Sequence, residues 1–373
     1  MARSIFEDVS GEKVDTPAPT PKRKSARRAI SIWLMALFGL VVLIILIGGM
    51  TRLTDSGLSI TEWKPVTGAI PPMGDVAWVA EFDKYKVTPE YELQNIGMSM
   101  SEFKGIYWWE WAHRFLGRFV GLVWFVGFVW FMARRQIPNG WTGRLAGVGV
   151  LGGLQGVVGW WMVSSGLEGR MVDVASYRLA VHLGLAFLIL GLISWFVFEL
   201  RRESAELLQA RRRRENGLMG LGTMLVAVLF VQILLGALVA GIDAGRSFPT
   251  WPSMAGEFLP SKSFDYSPTW TNFFENPALV QFNHRLLGYL AFLLGAFAWW
   301  RSRSSALNGV RSRFDWVMVM MFGQVVLGIV TVLYAAPVHI AIVHQLGAVV
   351  LFVVTLRARF EAGYPVEQKI IRG

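Results

Sequence analysis

The chain has 373 residues, of which 54% are hydrophobic and only 17% are charged. Soluble domains carry about 25% charged residues, so this composition indicates an integral membrane protein. Cysteine is absent, which excludes disulfides, thiolate metal ligands and a cysteine nucleophile. The net charge is +10, and the basic residues lie in short blocks between apolar runs. Such blocks are explained more simply as determinants of membrane orientation than as a nucleic-acid-binding surface.

Apolar runs of about 20 residues predict membrane-spanning helices. Residues 1–28 combine prolines and basic side chains without apolar periodicity, which predicts a disordered basic tail. The first span begins at Ala29 and ends near Met50, and no small-residue cleavage pattern follows it, so we expect no cleaved signal peptide. Further spans are predicted at 106–133, 145–166, 177–199, 217–241, 278–300, 315–336 and 338–356.

The connections between the spans fall into two groups by their content of lysine and arginine. These residues concentrate in both tails and in the connections 134–144, 201–214 and 301–313, whereas the opposite side carries two long loops, 51–105 and 242–277. By the positive-inside rule both termini are cytoplasmic, and an even number of spans agrees. Both long loops contain tryptophan and proline, which suits a cap at the outer membrane surface. A plain interfacial linker is the alternative.

Short motifs in the first half of the chain recur in the second half. The pairs are Glu110-Trp-Ala-His113-Arg114 with Gln281-Phe-Asn-His284-Arg285, Gln155-Gly-Val-Val-Gly with Gln324-Val-Val-Leu-Gly, and Ala180-Val-His182 with Ile342-Val-His344. Gly117 and Gly288 each follow a histidine by four residues, which predicts a gap for a flat ligand on the histidine's helix face. Four spans return a chain to its starting side, so two four-helix units in one orientation explain the repeat.

These patterns together predict an all-α integral membrane protein, with eight transmembrane helices arranged as two repeated four-helix bundles. The N-terminal bundle covers 29–200 and includes the first long loop, and the C-terminal bundle covers 217–360 and includes the second. A basic cytoplasmic linker, 201–216, joins them, and residues 361–373 form a cytoplasmic tail.

Four of the five histidines have equivalent positions, each roughly 8–10 Å below the outer edge of an even-numbered span: His113, His182, His284 and His344. Ionisable residues inside a membrane are costly and usually functional, which favours metal ligation over hydrogen-bonded core histidines. Two of them on facing helices can hold a haem iron from both sides. His339 has no counterpart and is predicted to be interfacial.

Arginines follow two of these histidines directly. Arg114 and Arg285 are candidates for neutralising haem propionates through charge-assisted hydrogen bonds, and Arg118 is a weaker candidate. The alternative is that each arginine snorkels at a helix end.

An acidic residue distinguishes the two halves, because Glu110 stands where the second half has Gln281. Glu110 shares a helix face with His113, so it is a candidate for proton transfer at that site. The alternative is an outer-surface acid paired with Arg114 or Arg118.

Longer motifs resemble a known family over about residues 30–360: Gly48-Gly-Met-Thr-Arg-Leu-Thr-Asp-Ser-Gly-Leu-Ser59, Trp63-Lys-Pro-Val-Thr-Gly-Ala-Ile-Pro-Pro72, Glu110-Trp-Ala-His-Arg114 and Phe282-Asn-His-Arg-Leu-Leu-Gly288. They look like those of the haem A synthase family, in its cysteine-free mitochondrial and proteobacterial branch. The resemblance implies an enzyme that oxidises the C8 methyl of haem O to the formyl of haem A, for cytochrome oxidase assembly.

The resemblance also implies site roles and partners. His113 and His182 would receive the substrate haem O, His284 and His344 would hold a resident haem b, and Glu110 would be the catalytic acid. The implied location is the cell inner membrane, among membrane lipid, haem O synthase and cytochrome oxidase assembly factors. The resemblance does not identify the electron donor or decide whether the chain forms a homo-oligomer.

Two other functional classes compete with this interpretation. A di-haem membrane cytochrome b also needs four histidines in bundles, but it gives no reason for Glu110 to differ from Gln281. A transporter built from repeated halves predicts polar residues spread across the bilayer midplane, whereas these histidines lie on the outer side.

Overall fold

The structure is a computed structural model that describes residues 21–167 and 172–366. Eight long helices dominate these residues, with short helices between them. The long helices are α1 (Pro21–Leu53), α4 (Met100–Ala133), α5 (Thr142–Leu167), α6 (Ser176–Leu200), α8 (Asn216–Gly241), α11 (Pro277–Ser302), α12 (Asn308–Leu333) and α13 (Val338–Gly363). The short ones are α2 (Asp75–Tyr85), α3 (Pro89–Leu93), α7 (Ser204–Arg211), α9 (Ala244–Ser247) and α10 (Asn272–Glu275).

Seven of the long helices in the described part of the chain are long and apolar enough to cross a membrane, so the chain is a multi-pass membrane protein. The remaining one, α11, has 26 residues and occupies the segment 278–300 that the sequence predicts as a span. Its polar residues, which include Gln281, Asn283 and Arg285, lower its hydropathy below that of the others.

The long helices pack in two neighbouring groups. In the first, α1 contacts α4 and α6, and α5 contacts the same two helices. In the second, α8 contacts α11 and α13, and α12 contacts the same two. The groups meet mainly where α6 packs against α8 and α13. One apolar cluster crosses this boundary, because Leu190 and Ile193 of α6 belong to the same buried core as Leu225 and Phe352.

The segment 51–105 folds as a cap on the start of α4. Trp78, Phe82 and Tyr85 of α2 form a buried aromatic cluster with Phe103 and Tyr107 of α4. The fully buried rings hold this loop against the helix, since each removes a large apolar area from water. The loop is therefore a folded unit and not a plain linker.

The first helix begins earlier than the sequence predicted. It starts at Pro21, whereas the predicted basic tail extended to residue 28. Proline suits the first position of a helix, and the following Lys, Arg, Ser and Ala residues are compatible with helical structure. Residues 1–20 of the predicted N-terminal tail, and residues 367–373 of the C-terminal tail, lie outside the described part of the chain.

Candidate functional site

Two histidines face each other in the first group of helices. The ring centroids of His113 on α4 and His182 on α6 are 6.4 Å apart, with an angle of 64° between the rings. Imidazole nitrogens bind metals at about 2 Å, so two imidazoles on opposite sides of one metal ion place their centroids roughly 6 Å apart. The observed separation therefore fits two axial ligands of one iron.

The second group places His284 on α11 and His344 on α13, at the positions equivalent to His113 and His182. These two side chains are close enough to interact electrostatically. All four histidines are half-buried, whereas His339 is exposed near the start of α13.

A glycine of the preceding long helix faces each of the four histidines. A Cβ atom added at that glycine would lie 2.6 to 3.1 Å from Cε1 of the imidazole, which is too close for any other residue to fit without displacement. The pairs are Gly48 with His113, Gly159 with His182, Gly236 with His284, and Gly328 with His344.

The contacts with these glycines also orient the rings. At every site Cε1 is the ring atom nearest the glycine. At His113, His182 and His284 the Nδ1 atom is closer to the glycine than Nε2 is, whereas the two nitrogens of His344 are equally distant, at 3.8 Å. The helix backbone at each glycine therefore lies against one edge of an imidazole ring.

Sequence reasoning assigned a gap to the wrong glycines. Gly117 and Gly288 were predicted to leave room for a flat ligand, but a side chain of the preceding helix occupies the space next to each. A Cβ atom at Gly117 would lie 3.5 Å from Ile44 Cδ1, and one at Gly288 would lie 3.3 Å from Gln232 Nε2. The prediction was wrong because a position on one helix face says nothing about the neighbouring helix.

Three glutamines lie against the histidines, one turn before the facing glycine. Gln155 contacts His182, Gln232 contacts His284 and Gln324 contacts His344. In each case the glutamine Nε2 also donates to the backbone carbonyl of the histidine, at 2.9 to 3.0 Å. Sequence reasoning matched Gln155 with Gln324 but missed Gln232, although the spacing Gln-x-x-x-Gly was the signal for all three.

Glu110 is buried, with 2% of its surface exposed. Its Oε2 accepts hydrogen bonds from the Ser59 hydroxyl at 2.8 Å and from the Ile60 N–H at 2.7 Å. Its Oε1 accepts from Arg114 Nη2 at 2.5 Å and from Nε at 3.0 Å. The carboxylate is thus held by four donors. It is paired with Arg114 as the alternative interpretation predicted, but it is not a surface acid.

The arginines beside the histidines hold the outer loops. Arg114 donates to the carbonyls of Ile60 and Glu62 at 2.7 and 3.0 Å, and Arg285 donates to those of Phe248 and Thr250 at 2.7 and 2.8 Å. These contacts repeat between the halves. Arg118 likewise donates to the carbonyls of Lys64 and Pro65. Among the described residues no hydrogen-bond acceptor faces Arg285 Nε, whereas both terminal nitrogens and Nε of Arg114 are occupied.

The second half offers no acid at the position equivalent to Glu110. Gln281 is buried there and donates weakly to the Phe248 carbonyl at 3.4 Å, while its Oε1 has no hydrogen-bond partner among the described residues. The two sites therefore share the glycine contacts of their histidines and differ in charge.

The donor set fits a porphyrin iron. No group of three or more His, Cys, Asp or Glu side chains able to hold a bare metal ion occurs within 21–167 and 172–366. A haem supplies four nitrogens of its own and needs only axial ligands from the protein. Paired imidazoles meet this requirement.

Comparison with known proteins agrees with this chemistry. Residues 31–356 match the family model described as cytochrome oxidase assembly protein. A protein of Dinoroseobacter shibae named "Heme A synthase" is 60% identical over 370 residues, covering 98% of this chain and 97% of the relative. Proteins of the same name from Ruegeria sp. and Paracoccus denitrificans are 56% and 54% identical, each covering 99% of this chain and 98% of the relative. The chain therefore belongs to the haem A synthase family of cytochrome oxidase assembly proteins.

Proposed function

We propose that this protein is a membrane oxidoreductase that converts haem O to haem A by oxidising the C8 methyl group to a formyl group. The observation that carries the proposal is the pairing of four imidazoles at repeated positions, in a chain that matches proteins of this activity along nearly its whole length. The product serves cytochrome oxidase assembly.

The proposed architecture has eight transmembrane helices in two repeated four-helix bundles, with α11 as the additional span. The N-terminal bundle comprises residues 29–200 and the C-terminal bundle residues 217–360. The glycine–histidine and arginine–carbonyl contacts support it, because each of these contacts in one half has a counterpart in the other. The distribution of basic residues supports cytoplasmic termini in the cell inner membrane.

The two bundles have different roles in this proposal. His284 and His344 hold a resident haem b, and His113 and His182 receive the substrate haem O. The support is the difference in charge, since among residues 21–167 and 172–366 only the first bundle places a buried carboxylate beside its histidine pair. Haem b, when bound, supplies a redox-active iron. Haem O synthase and oxidase assembly factors are the proposed partners.

Glu110 is the proposed proton-handling residue of the substrate bundle. Ser59 has one hydroxyl hydrogen and two acceptors, Glu110 Oε2 at 2.8 Å and the Ser56 carbonyl at 3.1 Å. Turning this hydroxyl exposes one lone pair of the carboxylate without moving the backbone. Arg114 keeps the other oxygen paired, so Oε2 is the atom on which a proton would be held.

The arginines support the sites from the outer side. Arg114 and Arg285 fix the loop that covers each histidine pair, and contact with a haem propionate is proposed for each. Arg285 has a free Nε for this contact, whereas Arg114 would have to exchange a carbonyl partner.

The test is chromatography of haems extracted from cells that lack the protein and from cells that express it. Haem A should form only with the protein, and haem O should accumulate without it. A membrane cytochrome would leave the haem O to haem A ratio unchanged and would contradict the proposal.

A further inference from the structure

The glutamine contacts are present at three histidines and missing at the fourth. Four residues before the facing glycine, three helices place Gln155, Gln232 and Gln324, whereas α1 places Ile44. Glutamine Nε2 lies 3.3, 3.1 and 3.3 Å from Nδ1 of His182, His284 and His344. Isoleucine has no polar atom for such a contact.

His113 lacks such a side-chain contact. Its Nδ1 is buried and has no hydrogen-bond partner among the described residues. The backbone carbonyl of Ile44 lies near the ring, as that of Gln232 lies near His284, so what His113 lacks is the side-chain amide. The Ile44 side chain instead packs at Gly117, where Gln232 packs at Gly288 in the second half.

A partner at Nδ1 matters for a histidine that binds metal through Nε2. The neutral ligand then carries its proton on Nδ1, and an acceptor there fixes the ring orientation and raises its basicity. A glutamine amide presents either a donor or an acceptor, depending on its rotation. In this structure Nε2 of Gln155 and of Gln232 donates to the backbone carbonyl of the histidine, and the Oε1 atom of each is buried without a partner. The amide that contacts the ring therefore carries an unused acceptor.

We propose that Gln155, Gln232 and Gln324 are positioning residues that fix three of the four axial histidines, and that His113 is the weakly held, exchangeable ligand. This inference rests on the proposed function, in which the first bundle must accept haem O and release haem A. One fixed ligand, His182, and one loose ligand, His113, allow that exchange. Both ligands of the C-terminal pair are fixed, as a resident haem requires.

The first experiment measures haem release from purified protein loaded with haemin, using apomyoglobin as the acceptor. The native protein should release haemin in a fast phase from the His113–His182 pair and a slow phase from the other pair. Ile44→Gln should slow the fast phase by about 10–100-fold, the usual effect of a hydrogen bond to a metal-bound histidine. The matched apolar control Ile44→Leu should keep the native rate.

A reciprocal variant, Gln324→Ile, keeps the inference testable if Ile44→Gln does not fold. Gln324→Ile should reproduce the environment of His113 at His344 and speed the slow phase by about 10–100-fold. Unchanged rates in both Ile44→Gln and Gln324→Ile, with haemin still bound, would overturn this inference and leave the proposed function standing. Failure of the native protein to bind haemin at all would overturn the proposed function itself.

Discussion

Gln345 donates a hydrogen bond from its side-chain amide to the backbone carbonyl of Ile45, at 2.8 Å. Gln345 follows His344 on α13, and Ile45 follows Ile44 on α1, so the contact joins the neighbourhoods of the two histidine pairs. It depends on Gly49, where a Cβ atom would lie 2.5 Å from Gln345 Oε1 and 2.8 Å from Ile342 Cδ1.

Gly49→Ala should therefore separate α13 from α1. Overpacking a close helix contact costs about 1–3 kcal/mol, and the displacement should alter haem binding in both bundles. Gly39→Ala is the matched control on the same helix, because nothing lies within 4 Å of a Cβ atom there. Thermal unfolding of the two variants in detergent checks the difference. Equal thermal stability of Gly49→Ala and Gly39→Ala would show that α1 and α13 accommodate the added methyl group at no measurable cost.

The glycine opposite a histidine should be needed for haem retention. In Gly328→Ala the new methyl lies 3.1 Å from His344 Cε1, so the ring must shift away from α12. A cost of about 1.4 kcal/mol corresponds to a tenfold weaker haem b affinity. Gly323→Ala, on the same helix with open space around it, should retain native affinity. Titration with haemin, followed by the low-spin absorbance bands, measures both.

The sequence alone identified the long helices and the four histidines, because apolar length and a repeated motif carry that information. It did not identify which residues surround each imidazole. Gly48 and Gly236 act across a helix interface, and spacing along one helix does not show what faces it. The hydrogen-bond partners of Glu110 were missed for the same reason, since Ser59 and Ile60 reach it from a loop some 50 residues earlier.

Glu90, in the outer cap, should make stability depend on pH. Burial is the main cause that raises the pKa of its carboxyl from the ordinary 4.5 to about 8, and its Oε2 has no hydrogen-bond partner among the described residues. Between these values the folded protein holds a proton that the unfolded chain releases, so stability falls as pH rises from about 4.5 to 8. Glu90→Gln should remove this dependence.

The measurement for Glu90 is the thermal midpoint at pH 5 and at pH 8. The native protein should lose more stability between the two values than Glu90→Gln does. Glu92→Gln changes an exposed acid on the same short helix and is the matched control. A native-like pH profile in Glu90→Gln would show that this carboxyl does not control the effect.

Replacing an axial histidine should have different effects in the two pairs. His284→Ala or His344→Ala should lower the haem b content of the purified protein, because each removes an axial ligand of the proposed resident haem. His113→Ala and His182→Ala should retain most haem b and lose haem A formation. Pyridine haemochrome spectra measure the content. Native low-spin spectra in both C-terminal variants would refute the assignment of the resident haem.

The carboxylate of Glu110 has two roles that one substitution removes together. It pairs with Arg114 at 2.5 Å, and it presents Oε2 to Ser59. Removing one member of a buried ion pair is destabilising, since the other charge is left uncompensated. A loss of activity in Glu110→Gln alone would therefore not distinguish proton transfer from support of the cap.

Arg114→Gln separates these roles, because it breaks the same ion pair and keeps the acid. If Glu110 transfers protons, Glu110→Gln should lower the rate of haem A formation by about 10²–10⁴-fold, the range for positioned acid–base groups, and haem O or a hydroxylated intermediate should accumulate. Arg114→Gln should lose less activity at a similar loss of stability. The reciprocal Gln281→Glu should create no second active site, because in the proposed function that pair holds the resident haem b and not the substrate haem O. Haem extraction and unfolding measurements on the three variants provide the comparison. Equal loss of haem A in the first two variants would mean that Glu110 acts only through Arg114, as the anchor of the outer cap over His113.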